Sequence, residues 1–236
     1  TGESGSDNLA MGYGAGFSGE STIDNTLGSA QNVVLGANAV VADNAPLNVV
    51  VGYAAQSTRT LAAIAIGSEA NVSSILYGIA IGREAAATRI NGIAIGYQSA
   101  AMGTNGIALG NGASVTEANA IAIGNGTTVG AEHEAYIGNA AMMSIGGITN
   151  WTATSDARLK TDVREDVPGL AFIRKLRPAR YRFDRDALQR LSAASEGLDA
   201  ALDAKAQQWQ TGFLAQEVEA AAEAAGFDFS GVVKPK

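Results

Sequence analysis

From Asn32 to Gly138 the chain repeats one short motif, and that repeat decides what the sequence can fold into. Its cores read Asn32-Val-Val-Leu-Gly36, Asn48-Val-Val-Val-Gly52, Ala63-Ile-Ala-Ile-Gly67, Gly78-Ile-Ala-Ile-Gly82, Gly92-Ile-Ala-Ile-Gly96, Gly106-Ile-Ala-Leu-Gly110, Ala120-Ile-Ala-Ile-Gly124 and Ala135-Tyr-Ile-Gly138. The closing glycines are 16, 15, 15, 14, 14, 14 and 14 residues apart. Three residues after most of them stands a small residue: Ala39, Ala55, Ala70, Ala85, Ser99, Ala113 and Thr127. Leu9-Ala-Met-Gly12, followed by Ala15, reads as a degenerate first copy. Self-similarity at a fixed short period is the signature of a solenoid.

The residues of one copy carry its physics. Ile-Ala-Ile alternates at period two, so the isoleucines share one face of a strand and the alanine points the other way. The closing glycine permits positive φ and a sharp corner. A unit of ~14 residues holds two short strands and two turns at about 3.3 Å per residue. Such a unit cannot bury its own isoleucines, so stacking on the next unit is expected to bury them. The alanine face admits close approach of another backbone, and is expected to form a contact between subunits or between layers.

The Ala-Ile-Ala-Ile-Gly-x-x-Ala pattern, over roughly residues 9–140, resembles the head repeats of trimeric autotransporter adhesins. The same repeat occurs in phage tail fibres. The resemblance implies a left-handed parallel β-roll assembled as a homotrimer, serving as a stiff spacer or as a surface that adheres to a receptor or matrix.

Composition narrows the function classes. The sequence has 236 residues, and a shift in composition after the repeat argues for two domains. A net charge of -7 disfavours nucleic acid as a partner, because phosphate binding needs a basic face. With no cysteine there is neither a disulfide framework nor thiolate chemistry. No apolar run approaches the ~18 residues that span a bilayer, so no membrane insertion is expected of this stretch. A signal peptide is not visible, and a chain that starts at Thr1 reads as a piece of something longer. Gly12-Tyr-Gly-Ala-Gly16 lacks the following helix of a dinucleotide fingerprint. The single histidine, His133, has no His or Cys neighbour to share a metal and reads as a loop residue. Neither a cofactor nor a metal is expected.

Beyond Gly146 the pattern changes. Asn150-Trp-Thr-Ala-Thr-Ser155 reads as an extended connector. Pro168 fits a first helical turn, with Leu170, Ile173 and Leu176 on one face and a stop before Pro178. Tyr181-Arg-Phe183 alternates like a strand. Asp184 to Gln210 places Leu188, Leu191, Leu198 and Leu202 at helical spacing, interrupted by Gly197, and reads as a helical hairpin or an insertion. Thr211-Gly-Phe-Leu-Ala-Gln216 leads into a helix carrying Leu214, Val218 and Ala222, closed by Gly226. The basic run Arg174, Lys175, Arg177, Arg180, Arg182 and Arg185 is read as contacts with acidic residues of other subunits.

Three motifs stand in order here: Ser155-Asp-x-Arg-Leu-Lys160, Leu176-Arg-Pro-x-x-Tyr-x-Phe183 and Gly212-Phe-Leu-Ala-Gln-Glu-Val-Glu219. Together, from about Thr154 onward, they resemble the C-terminal intramolecular chaperone domain of phage tailspikes and tail fibres of the endosialidase type. The resemblance implies a domain that holds three chains together while the fibre folds, then releases itself through a Ser-Lys dyad, Ser155 with Lys160. Family members commonly continue into a coiled coil, so the domain is expected to be truncated at its C-terminus.

The chemistry constrains that dyad. A serine hydroxyl is a weak nucleophile until a base takes its proton. A lysine serves only if its pKa falls from ~10.4 towards ~7–8, by burial or cationic neighbours such as Arg158. Asp156 and Asp162, if close, act in the opposite sense. An i,i+5 spacing puts the two side chains on opposite faces of a strand and ~140° apart on a helix. The dyad therefore needs a turn between its members, or partners from different subunits. Attack by Ser155 Oγ on the Thr154 carbonyl passes through a five-membered ring, which favours cutting Thr154–Ser155. Ser155–Asp156 is the close second, since the family cuts next to this serine. In another reading Ser155-Asp156 caps a turn and Lys160 is a solvated charge.

The sequence thus points to an all-β parallel β-roll over residues 1–145, a connector over 146–154 and an α+β chaperone domain over 155–236. The leading function is a trimeric fibre segment of a phage tail or related injection apparatus, on the virion, whose one enzymatic act is a single self-cleavage by a serine protease chemistry. The alternative is a bacterial cell-surface adhesin with a permanent trimerisation cap. Either could meet a host-cell receptor. A hydrolase acting on an external substrate lacks a convergent acid–base set.

Overall fold

The computed structural model of the chain describes residues 8–18, 31–42, 46–73, 76–146, 155–191 and 199–232. Packing divides it into two compact units, Thr1–Met142 with Gln189–Leu198, and Met143–Leu188 with Asp199–Lys236.

The repeat forms a parallel β-roll with two sheets. The first runs Leu9–Met11, Val33–Leu35, Val49–Val51, Ile64–Ile66, Ile79–Ile81, Ile93–Ile95, Ile107–Leu109, Ile121–Ile123 and Ala135–Ile137, in chain order and all parallel. The second runs Gly16–Ser18, Val40–Ala42, Gln56–Thr58, Asn71–Val72, Ala86–Ala87, Ala100–Ala101, Ser114–Val115 and Thr128–Val129. Register is in step: Ile79, Ile93, Ile107 and Ile121 lie in one column, Ala80, Ala94, Ala108 and Ala122 in the next. Each rung thus satisfies its backbone on its neighbours, as with Ile79 N donating to Gly92 O at 2.9 Å.

The structure reverses the expected roles of the two faces. Ala65, Ala80, Ala94, Ala108 and Ala122 are wholly buried inside the roll. They face Val72, Ala87, Ala101, Val115 and Val129 of the second sheet, which are equally buried, with Ala70, Ala85, Ser99, Ala113 and Thr127 filling the corner. Isoleucines point outward: Ile79, Ile81, Ile93, Ile95, Ile121 and Ile123 are half-buried, and Ile66 and Leu109 are exposed. A coil of ~14 residues is too narrow to admit two isoleucines per rung, so volume selects alanine for the interior. Stacking aligns the isoleucines in columns without covering them. The second sheet's outer face is different, mixing Gln56, Thr58, Asn71, Ser114 and Thr128 with the small apolar Val40, Ala42, Ala86 and Ala100.

The corner glycines have two reasons to be glycine. Gly82 has φ 134° and Gly96 φ 135°, and a Cβ on either would collide with the carbonyl of the next rung's glycine. At the opposite turn the left-handed position is filled by Asn91, Asn105 and Asn119, residues that tolerate it. Their side chains form an exposed ladder, Asn91 Nδ2 donating to Asn105 Oδ1 at 2.8 Å and Asn105 Nδ2 to Asn119 Oδ1 at 2.9 Å. The earlier, longer rungs use a buried polar column instead. Asn48 N donates to Asn32 Oδ1 at 2.7 Å, and Ala63 N to Asn48 Oδ1 at 2.8 Å.

The C-terminal unit is built on other terms. Its helices are α1 (Leu170–Ile173), α2 (Arg185–Leu191), α3 (Asp199–Gln207) and α4 (Ala215–Glu223), with a two-stranded antiparallel sheet pairing Ala179–Tyr181 with Gln210–Gly212. Phe172, Phe227 and Phe229 pack ring on ring at 5.1–5.9 Å between centroids, against Leu176, Val218, Ala221 and Ala222. Phe172 is the buried residue of α1, whereas Leu170 and Ile173 are exposed, contrary to the helical face read from sequence. A helix of four residues has no continuous face, and an aromatic ring outcompetes the aliphatics for the one covered position. The strand begins at Ala179, two residues before the expected start, and leaves Phe183 beyond its end. Leu188 and Leu202 are buried, but Leu198 and the Leu191 side chain lie outside the described residues. Gly226, at φ 66°, closes α4: its N–H donates to Glu223 O and the Phe227 N–H to Ala222 O, the Schellman pattern.

Candidate functional site

Ser155 and Lys160 meet. Between them Ala157–Leu159 forms one turn of 3-10 helix, whose bonds run from Leu159 N to Asp156 O and from Lys160 N to Ala157 O, both 3.1 Å. The flanking residues are extended, with Asp156 at φ -78°, ψ 132° and Lys160 at φ -114°, ψ 132°. A single tight turn thus reverses the i,i+5 separation that a strand or a helix would impose. Lys160 Nζ stands 2.7 Å from Ser155 Oγ. Of the two routes open from sequence, a turn within the chain or residues from different subunits, the turn is present.

Asp156 sits at the head of this turn. Its Oδ1 accepts from Arg158 N at 2.9 Å, capping the turn. The Arg158 guanidinium grips the same carboxylate, Nε at 3.1 Å from each oxygen and Nη2 at 2.6 Å from Oδ2. These bonds, the guanidinium first and the Arg158 N–H second, hold the Asp156 carboxyl below the usual carboxylate range, and the pairing raises Arg158 in turn. The turn-capping role read as the alternative from sequence is therefore filled by Asp156, beside the serine–lysine contact rather than instead of it. Arg158, expected to favour a neutral lysine, spends its charge on Asp156. Asp162 is exposed at φ 53°. Thr154, on the other side of the candidate bond, lies outside the described residues.

Ser155, Arg158 and Lys160 are all exposed on the single chain, and Asp156 is half-buried. Lys160 Nζ donates to Ser155 Oγ. To act as a base it must first lose that proton, after which the hydroxyl donates to the amine and the oxygen is free to attack.

Four members of the basic run make contacts within the chain. Arg177 pairs with Glu217 of α4, and Arg185 with Asp199 and Asp203 of α3. Arg180 and Arg182 stack on Trp209, at 4.7 and 4.5 Å from its ring centre. His133 occupies an exposed turn position at φ 61°. Among the described residues no group of three or more His, Cys, Asp and Glu side chains could hold a metal, and no helix is long and apolar enough to cross a membrane. A groove of about 420 Å³ at the end of α4, lined by Glu219, Ala222, Glu223, Phe227, Asp228 and Phe229 among others, was not anticipated. Its sequence trace is the Phe-Asp-Phe that follows Gly226.

The chain thus carries a roll of stacked short rungs followed in sequence by a compact helical module. Comparison with known proteins agrees: residues 155–227 match the family model described as the chaperone of endosialidase, and residues 76–99 and 101–127 match two copies of the YadA head domain repeat. The chain therefore combines repeats similar to those of trimeric autotransporter heads with a C-terminal region similar to the endosialidase chaperone, two families that imply a homotrimer. No curated protein matches the sequence significantly. Among solved structures, the collagen-binding domain of the Yersinia adhesin YadA is 24% identical, over 55% of this chain and 69% of that one, with a TM-score of 0.43.

Proposed function

We propose that the chain is a trimeric fibre segment of a phage tail or related injection apparatus, whose C-terminal module assembles the trimer and then cuts itself away. The observation that carries this reading is the 2.7 Å contact between Lys160 Nζ and Ser155 Oγ across a turn at the first residue of the chaperone match. A contact between a nucleophile and a potential base at that boundary is what release of the module needs.

Each atom has an assigned course. Neutral Lys160 takes the Oγ proton as Ser155 Oγ attacks the carbonyl carbon of Thr154. The Thr154–Ser155 C–N bond breaks, and the lysine returns the proton to the departing nitrogen. Water then hydrolyses the resulting ester, leaving a Thr154 carboxylate and a new amino terminus at Ser155. Cutting Ser155–Asp156 instead would require Ser155 Oγ to reach its own carbonyl through a four-membered ring. On the single chain the dyad is open to water, and a lysine serves as base only where it is desolvated. Trimerisation would supply that desolvation, so that cleavage follows correct assembly.

The roll has its own need for partners. Its isoleucine face runs along the first sheet, while the second sheet's outer face carries only small apolar side chains among polar ones, so the isoleucine side asks for cover by other copies. Synthesising the full chain beside a chain ending at residue 154 tests the assembly role. The full chain should yield a soluble trimer and the shorter chain aggregate or monomer; equal trimer from both would sink it.

A second reading has its own support. The repeat match is to an adhesin head, which favours a cell-surface adhesin with a permanent cap and a receptor or matrix ligand. An outer-membrane anchor encoded downstream would decide for the adhesin, and a neighbourhood of phage structural genes for the fibre.

A further inference from the structure

We infer that Asp156 is a positioning residue for the serine–lysine pair, acting by capping the turn that brings the two together. The inference rests on the self-processing reading and deepens it. Ser155 and Lys160 are the residues just outside the turn on either side, so the distance between their side chains is set by whether that turn is formed. The turn is one revolution long, has no buried residue and is held by two backbone bonds. On the single chain, none of the turn's residues is held by burial. What remains is the Asp156 carboxylate, whose Oδ1 satisfies the Arg158 N–H at 2.9 Å and fixes Asp156 in the extended conformation that a cap requires. Arg158 closes the same carboxylate from outside and holds its orientation. Without the cap the short turn opens, and Lys160 departs from Ser155 while both remain chemically intact.

Asparagine presents the same acceptor oxygen and caps as well as aspartate, whereas alanine does not cap. The pair Asp156→Ala and Asp156→Asn therefore isolates the cap from the charge. A second device restores the turn independently. Ala157 is its first residue, where a proline ring pre-sets φ and its missing N–H is no loss. The extended Asp156 is the conformation that a following proline imposes.

The test uses the full chain, freshly synthesised, with the cleaved fraction followed by denaturing mass spectrometry and the trimer checked by sedimentation. Ser155→Ala should stay intact. Asp156→Ala should form the trimer and cleave about five- to tenfold more slowly than wild type, the loss of one cap. Asp156→Asn should cleave within about twofold of wild type, and Asp156→Ala with Ala157→Pro should recover most of the lost rate. A merely structural role would move assembly along with cleavage and would not be rescued by the proline. Wild-type cleavage with Asp156→Ala equally fast, or Asp156→Asn as slow as Asp156→Ala, overturns the positioning role alone. A wild-type trimer that never cleaves overturns the self-processing reading, and this inference with it.

Discussion

The two units of this chain solve the same problem with opposite materials. In the roll, order comes from the backbone: every rung bonds to the next in register, and the buried side chains are mostly alanine and valine. In the C-terminal unit order comes from three phenylalanines, a Schellman stop and ion pairs that reach between elements, Arg177 with Glu217 and Arg185 with Asp199 and Asp203. The difference shows why one should accompany the other. A rung gains little until a neighbour exists to pair with it, so a solenoid of nearly identical rungs is cheap to extend and costly to start or to align among three chains. A compact module with a unique core has one register only. On the proposed reading, such a module following the roll in the chain fixes the alignment that the repeat itself leaves open.

That contrast can be broken in order of size. Phe172→Ala removes the ring at the centre of the aromatic cluster and should cost the C-terminal unit about 3–5 kcal/mol, leaving the roll's own unfolding transition unmoved. Chemical denaturation followed by tryptophan and by far-ultraviolet dichroism separates the two; a common shift of both transitions would contradict the division. Gly96→Val places a branched side chain at φ 135° against the Gly110 carbonyl. It should cost the roll roughly 3 kcal/mol, read as a lower melting temperature, with the C-terminal unit intact. Exchanging Ile93 and Ile121 together for asparagine alters only the outward face of the first sheet. The roll should keep its dichroism while the trimer weakens in sedimentation, and an unchanged trimer would show that this face is not the one that partners cover.

The smallest effect is electrostatic. Glu217 is held below its usual pKa by its bonds to Arg177, so its contribution to stability is complete above the unfolded value and fades as pH falls through the lower folded one. The pair is exposed, so the expected loss in acid is slight. Arg177→Gln should flatten the dependence of the C-terminal unit's melting temperature on pH below the carboxylate range. An undiminished slope would assign it to other carboxylates.

The roll was legible because its period is written in glycine. A glycine that needs positive φ and also abuts the next rung's glycine cannot drift, so Gly82, Gly96 and Gly110 betray the corner in the letters alone. Which face turned inward was not legible, because alternation is symmetric: Ile-Ala-Ile specifies two faces and leaves open which is the core. The answer depends on the width of the coil, a tertiary quantity. In the C-terminal unit the helices at Arg185 and Ala215 could be read from their spacing, but the short helix at Leu170 could not, since four residues show no periodicity. At the site, the pairing of Ser155 with Lys160 could be framed only as a need for a turn. Asp156 two residues before Arg158 is the signal that a turn is there, an acidic side chain placed to cap; in sequence it reads both as a hindrance to the lysine and, with Ser155, as a turn cap, and the letters do not show that the cap and the dyad coexist.

The most direct measurement is denaturing mass spectrometry of freshly synthesised full-length protein, wild type beside Ser155→Ala and Lys160→Ala. Two wild-type fragments that meet at Thr154–Ser155, absent from both variants, are the predicted result. A junction at Ser155–Asp156 would keep the dyad and shift the bond. An intact wild-type chain that is still trimeric would contradict self-processing and leave a permanent trimerisation cap on a β-roll fibre.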